Sequence, residues 1–269
     1  SRSVGLEILQ RAAVLHPKQQ HIKKVIAELG GKNAIIVDED ADLDQALKGI
    51  LHSAYGYAGQ KCSACSRVIV VGQNYNTFLS RLKQGIESLI ISSAKDPAAF
   101  LGPVIDAEAF ARINQTILSA QKAGAKLIAQ SPVPTPETGY YIAATALEVS
   151  DLENKIWTDE IFGPVIAISS AKTFQEAVNL ALDSDYALTG GVFSRSPENI
   201  KYAYENFLVG NLYINRSCTG AIVKRQPFGG FKLSGIGSKA GGPDYLLQFV
   251  DPRCVTENTM RRGFTPELL

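Results

Sequence analysis

The short apolar run Ala34-Ile35-Ile36-Val37 stops at Asp38, and Leu43, Ala46, Leu47, Ile50, Leu51 and Ala54 follow it at helical spacing. A run without polar alternation is buried on both faces, so it reads as an interior strand, and the periodic segment after it reads as a helix covering one of those faces. The alternation recurs. Residues 68–71 precede a helical pattern bearing Phe78, Leu82 and Ile86, and another bearing Phe110, Ile113 and Ile117 precedes Leu127-Ile128-Ala129. Further apolar runs lie at 165–168, Gly191-Val192-Phe193 and 211–214. Between them stand two helix starts, the capping-box pattern Thr173-Phe174-Gln175-Glu176 and the cap-plus-proline pair Ser196-Pro197. Strands alternating with helices predict an α/β domain with a largely parallel, doubly covered sheet. At 269 residues, 45% hydrophobic and 20% charged, the chain can bury a sizeable core as one large or two smaller domains.

Other segments stand apart from this order. Val4, Ile8, Ala12 and Leu15 form a helical stripe that ends at His16-Pro17. Ser131-Pro132-Val133-Pro134-Thr135-Pro136 cannot continue a helix and reads as a surface loop, while residues 229–242 are too glycine-rich to pack as a regular element. The last twenty residues, with Arg261-Arg262-Gly263, are expected to form an exposed arm that seeks a partner subunit.

Charge excludes one class of partner. With 27 basic and 26 acidic residues, and no basic run longer than a pair such as Arg261-Arg262, the chain has no electrostatic footprint for nucleic acid. No apolar run approaches the length of a membrane span, and the first residues lack the apolar core of a signal peptide, so a soluble, cytoplasmic protein without a membrane partner is expected. Four cysteines are too sparse for a disulfide scaffold and fit a reducing compartment.

Chemistry concentrates in Gly59-Gln60-Lys61-Cys62-Ser63-Ala64-Cys65-Ser66-Arg67 and in Glu28-Leu29-Gly30-Gly31-Lys32 upstream of it. A cysteine among small and polar residues keeps its sulfur accessible, and a carboxylate beside a Gly-Gly turn can approach it closely, which supplies a nucleophile and a base. Cys62 is therefore expected to alkylate ahead of Cys65, Cys218 and Cys254. Plainer readings stand beside these. Cys62 could be a small buried hydrophobe, Glu28 could close a helix or pair with a lysine on a solvated face, and Cys62-Ser63-Ala64-Cys65 has the spacing of a dithiol or zinc pair. The zinc reading lacks further ligands, because Cys218 and Cys254 are isolated and His16, His21 and His52 show no second ligand spacing, so no metal is expected.

These two blocks, 34 positions apart from Glu28 to Cys62, together with Glu160-Ile161-Phe162-Gly163-Pro164-Val165, resemble the aldehyde dehydrogenase superfamily. Thr219-Gly220-Ala221-Ile222-Val223 followed by Gln226-Pro227-Phe228-Gly229-Gly230 is similar to the branch that oxidises L-glutamate γ-semialdehyde in proline catabolism. The resemblance implies an NAD-dependent enzyme in which Cys62 is the nucleophile and Glu28 the base for deacylation; an aldehyde dehydrogenase with another small aldehyde substrate, or a truncated non-catalytic assembly domain, is the alternative. It implies that Glu160 binds the nicotinamide-side ribose and that Phe162 lies against the nicotinamide, although the residues alone equally allow a turn with one solvated acid and one core aromatic. It implies that Ser63, Gly220 and Ala221 grip the amino-acid head group of the substrate while Phe228 packs on its methylene stem. Small residues in that loop also let backbone N–H groups point into a pocket and bind a carboxylate without a cationic side chain. Ala144 stands where many members have proline. Ser1-Arg2-Ser3-Val4-Gly5 resembles the family's entry into a helix of the nucleotide-binding domain. On that basis residues 1–30 are expected to be a remnant of that domain, 31–249 the catalytic domain and 250–269 an arm for homo-oligomer assembly. No complete dinucleotide-binding Gly-x-Gly-x-x-Gly turn occurs in a strand-to-helix context.

Overall fold

The computed structural model describes residues 1–133 and 139–260. Its sheet is built from β2 (Asn33–Val37), β3 (Cys65–Val71), β4 (Lys126–Gln130), β5 (Thr145–Glu148), β6 (Val165–Ala171), β8 (Thr189–Phe193) and β9 (Asn211–Ile214), in the order β4-β5-β6-β3-β2-β8-β9. Every neighbouring pair is parallel except β4 with β5. The apolar runs account for this. All five residues of β2 and of β8 are buried, as doubly covered parallel strands must be.

Right-handed crossovers decide which helix covers which face. From β2 the chain passes through α2 (Leu43–Tyr55) to β3 in one direction, whereas from β6 it passes through α6 (Phe174–Leu182) to β8 in the opposite direction. The two helices therefore cover opposite faces. α3 (Tyr75–Glu87) packs with α2, and α7 (Pro197–Asn206) packs with α6. α4 (Ala107–Lys122) meets the short α5 (Lys155–Thr158). The caps form as read from sequence, with one variation: Thr173 Oγ1 accepts from Glu176 N, but the Glu176 carboxylate reaches Lys172 N at 2.7 Å. Ser196 Oγ accepts from Asn199 N at 3.2 Å.

Three expectations need correction or restriction. α1 (Arg2–Ala13) forms where its periodicity places it, yet Gly5 is its only buried residue and Val4, Ile8 and Leu15 in and after it are more than half exposed. Residues 229–242 do contain regular pairing. β10 (Phe231–Lys232) pairs with β7 (Tyr186–Ala187), and β11 (Gly235–Ile236) pairs with β1 (Ala27–Glu28), because a glycine strand can lie where a side chain would clash: a Cβ on Gly235 would stand 2.6 Å from Ala27 O. The proline-rich loop falls partly on residues 134–138 and the terminal arm partly on 261–269, which lie outside the described residues. Among the described residues no helix is long and apolar enough to cross a membrane.

In open α/β sheets ligands usually enter the crevice at the carboxyl ends of the strands, where crossovers diverge. At that crevice here, between β2 and β8, polar groups are bonded to one another. Asp38, just past β2, accepts from Ser194 Oγ at 2.6 Å and Asn199 Nδ2 at 2.8 Å, and Asp40 accepts from Arg195 N at 2.9 Å. The residues singled out from sequence gather at the opposite, amino ends of the strands.

Candidate active site

Glu28 ends β1 and lies opposite Gly235 of β11, with Leu29 N donating to Ser234 O at 2.8 Å. Its side chain reaches the surface but is partly enclosed; that enclosure raises its carboxyl, and the Lys239 ammonium pulls it back down. The glycines after it serve two close approaches. A Cβ on Gly30 would stand 2.1 Å from Glu160 Oε2, and one on Gly31 would stand 2.7 Å from Cys62 O. Gly31 N donates to Glu160 Oε1 at 3.0 Å.

Asn33 then organises the nucleophile turn. Its Nδ2 donates to Cys62 O and Ala64 O, both at 2.8 Å, while its Oδ1 accepts from Thr189 N at 2.9 Å. One buried amide thus ties the starts of β2, β3 and β8 together. Thr189 Oγ1 and Cys218 Sγ both donate to Ser63 O, at 3.3 and 3.5 Å, and hold the same turn from below.

Cys62 sits in that turn, half-buried. Burial pushes its thiol up, the Glu160 carboxylate pushes it further, and Glu28 adds to this, while the N–H groups of Ser63 and Cys62 itself donate toward the sulfur and oppose the rise. These surroundings favour the thiol form of Cys62 over the thiolate. Cys65 is buried, donates to Arg67 O at 3.3 Å and is raised well above an ordinary thiol, chiefly by burial. Among the described residues no group of three or more histidine, cysteine or carboxylate side chains converges to hold a metal.

Glu160 follows α5 and forms part of the walls of two clefts, of about 750 and 610 Å³. Burial raises its carboxyl; the Gly31 N–H and the Lys32 ammonium act against that. The Lys32 ammonium is fully buried, donates to Ile156 O at 2.8 Å and Asp159 O at 2.6 Å, and is pushed down to about 7 by burial, with Arg67 adding to the effect. Phe162 is exposed and holds φ +54, an uncommon backbone for an aromatic residue and a form of strain that clusters at functional sites. The turn Gly56–Gly59 braces it: Gly59, at φ +66, lies where a Cβ would stand 2.1 Å from Gly163 O.

The remaining sequence-predicted residues lie on the return from β9. Ser63 is buried and Cys218 reaches its carbonyl, so the stem of the 219–223 loop is tied to the nucleophile turn. Gly220 is exposed at φ +79 with nothing near its missing Cβ, and Ala221 beside it is half-buried. Phe228 is half-buried and exchanges both backbone hydrogen bonds with Ala240, at 2.9 and 2.7 Å. Asn211 Nδ2 donates to Pro227 O at 2.9 Å.

Asn33, Thr189, Lys239 and Arg67 were not singled out from sequence. A polar residue opening a wholly apolar strand is the available signal for Asn33, since burial without partners would be costly there. No local signal marks the other three, whose partners are distant in sequence.

Residues 1–255 match the model of the aldehyde dehydrogenase family. Among curated relatives, the 1-pyrroline-5-carboxylate dehydrogenase of a Geobacillus species is 46% identical over 257 residues, covering 96% of this chain and 50% of the relative. That of Oceanobacillus iheyensis is 42% identical over the same length, with the same coverage. Among solved structures, proline utilization A from Bdellovibrio bacteriovorus, inactivated by N-propargylglycine, superposes with a TM-score of 0.94 at 53% identity, covering 99% of this chain and 27% of that one. The 1-pyrroline-5-carboxylate dehydrogenase from Thermus with bound NAD superposes at 0.89 with 44% identity, covering 93% and 48%. The chain spans about half the length of the curated relatives it matches. A family match that runs through both carboxylates, the cysteine turn and the loop beyond β9 leaves one assignment: the chain belongs to the aldehyde dehydrogenase family.

Proposed function

We propose that this segment is the catalytic portion of an NAD-dependent dehydrogenase that oxidises L-glutamate γ-semialdehyde to L-glutamate in proline catabolism. The observation that carries the reading is the Cys62 turn, which Asn33 fixes by donating to Cys62 O and Ala64 O and whose thiol is pushed up by burial, Glu160 and Glu28.

In this reading Glu28 takes the Cys62 proton and releases it to solvent. The thiolate attacks the aldehyde carbon and forms a thiohemiacetal, and the backbone N–H of Cys62 stabilises the oxygen as it gains charge. NAD, when bound, accepts the hydride that converts the thiohemiacetal to a thioester. Glu28 then deprotonates a water that attacks the thioester carbon, which breaks the C–S bond and frees glutamate and the Cys62 thiolate. The residues present fit the cofactor's nicotinamide end. Glu160 has one carboxylate oxygen on Gly31 N–H, forms part of a cleft wall, and suits ribose hydroxyls, while Phe162, two residues on, is exposed and holds a positive φ.

Ser63, Gly220, Ala221 and Phe228 form the substrate end, with Gly220 and Ala221 donating backbone N–H groups to the α-carboxylate. In this account residues 1–30 belong with the nucleotide-binding domain, 31–249 form the catalytic domain, and 250–269 serve assembly into a homo-oligomer of a cytoplasmic enzyme. The apolar side chains of α1 and the exposed Val255 and Met260 support that division. The substrate assignment is tested in the enzyme carrying this segment. Ala221→Pro removes one donor, so kcat/KM for glutamate semialdehyde is expected to fall by about 1.5–3 kcal/mol of transition-state binding, while a short uncharged aldehyde loses much less. Cys62→Ala is the inactive control. Equal losses on both aldehydes would remove the carboxylate anchor.

A further inference from the structure

Residues 31–33, where the chain enters β2, grip two separate parts of the site. Gly31 N donates to Glu160 Oε1 at 3.0 Å, Lys32 Nζ donates to Ile156 O at 2.8 Å and Asp159 O at 2.6 Å, and Asn33 Nδ2 donates to Cys62 O and Ala64 O, both at 2.8 Å. Two neighbouring side chains thus reach different segments, Lys32 the one that leads to Glu160 and Asn33 the nucleophile turn.

The Lys32 bonds fall where a helix ends. α5 has only four residues and stops at Asp159, whose backbone turns extended at φ −92 and ψ 145, and Glu160 comes next. The last carbonyls of a helix have no partner within it, and a helix this short has no further turn to steady it. One ammonium bonds Ile156 O inside the helix and Asp159 O just past it, so it fixes the direction in which the backbone leaves for Glu160. Lys32 is itself held, since its carbonyl accepts from Arg67 Nε at 3.1 Å and Nη2 at 2.7 Å, and the same guanidinium lies 5.3 Å from the centre of the Trp157 ring in α5. With Lys32 only 2% exposed, bulk water does not compete for its bonds. Glu160 has little latitude beyond this: a Cβ on Gly30 would stand 2.1 Å from its Oε2. A carboxylate fitted this closely keeps its bond to Gly31 N only while its own backbone stays in place.

We propose that Lys32 is a positioning residue for the cofactor: by bonding the end of α5 it seats the Glu160 carboxylate on Gly31 N–H, at a fixed place relative to the Cys62 turn that Asn33 holds. This rests on the reading of Glu160 as the acceptor for the nicotinamide-side ribose. Lys32 touches neither cofactor nor substrate in this account. Without its ammonium Ile156 O and Asp159 O lose their donor, residues 156–160 loosen, and NAD must reorder them on binding.

Lys32→Met keeps an unbranched stem and removes the donors; Lys32→Gln, which keeps one amide, serves the same comparisons with smaller changes of the same sign if Lys32→Met does not fold. In the enzyme carrying this segment, without cofactor, amide hydrogen exchange of residues 157–161 should quicken about tenfold in Lys32→Met, while residues 62–66, tied by Asn33, keep their rate. Unchanged exchange at 157–161 overturns the proposal, and so does equal quickening of both segments, which is general loosening. NAD binding is then read by calorimetry without aldehyde. Lys32→Met and Glu160→Gln should each raise the dissociation constant roughly threefold to tenfold, and the pair should raise it no more than Glu160→Gln alone, because the seat has no effect once the carboxylate is gone. Losses that multiply in the double variant overturn the proposal, since a residue that only stabilises the fold would give them. If 157–161 loosen selectively in Lys32→Met but Glu160→Gln binds NAD normally, the seating by Lys32 is supported and the ribose reading of Glu160 fails instead.

Discussion

At the residue scale, the state of Cys62 is the quantity most open to measurement. Its thiol is raised by burial, then by Glu160 and Glu28, against two backbone N–H groups. Alkylation of Cys62 should therefore climb with pH through a midpoint above that of an ordinary thiol, and Glu160→Gln and Glu28→Gln should each bring the midpoint down, Glu160→Gln by more. Mass spectrometry of partly alkylated protein would follow it, and unchanged profiles in both variants would mean that neither carboxylate faces the sulfur. Cys65 and Cys218 are buried and should stay protected, whereas Cys254 is exposed and should label readily. The expectation that Cys62 labels ahead of every other cysteine is therefore put to its hardest test against Cys254. Access at the far end of the chain is decided by what packs over it, and nothing in the residues around Cys254 reveals that. The motif glycines were legible as a tight turn beside Glu28, whereas what Gly30 and Gly31 make room for, atoms of Glu160 and Cys62, was not.

At the scale of elements, caps and periodicity located most helices and sheet strands because each signal is complete within about a dozen residues. Ser196 gives a clean test, since its hydroxyl satisfies one N–H at the start of α7 and touches nothing in the candidate site. Ser196→Ala should cost about 1 kcal/mol in urea unfolding, with Cys62 alkylation unchanged. A loss below a few tenths would show that water or the preceding turn satisfies the N–H equally well. The two-residue strands β1 and β11 had no such signal. Glu28 is held in one of them, so the geometry of the base depends on a pairing between segments some two hundred positions apart, made possible by Gly235 having no side chain.

At the scale of the whole molecule, Arg67 joins parts that are remote in sequence. Its guanidinium is buried, donates to Lys32 O at 2.7 and 3.1 Å, reaches Ala181 O, Leu180 O and Asp183 O at the end of α6, and lies 5.3 Å from the centre of the Trp157 ring in α5. Burial lowers it to about 10, so it stays charged at neutral pH. Arg67→Leu would leave several buried carbonyls without a donor and should destabilise the fold by about 3 kcal/mol or more, with Arg67→Lys intermediate because it has fewer donors. Chemical denaturation would measure both, and a loss under about 1 kcal/mol would show that water replaces the guanidinium.

By itself the sequence determined the α/β class, the strands and helices with strong local patterns, and, through the motifs around Glu28, Cys62 and Glu160, the residue types available for chemistry. These follow from side-chain periodicity, capping and turn chemistry, all of which act between near neighbours. The tertiary structure alone decided the strand order, the placement of the site at the amino ends of the strands, and the partners of Asn33, Lys32 and Arg67. Their physical reason is common to all three. A buried polar group must find its partners wherever the assembled sheet brings them, and for these residues the partners come from turns and strand ends that meet only after the sheet has closed around them.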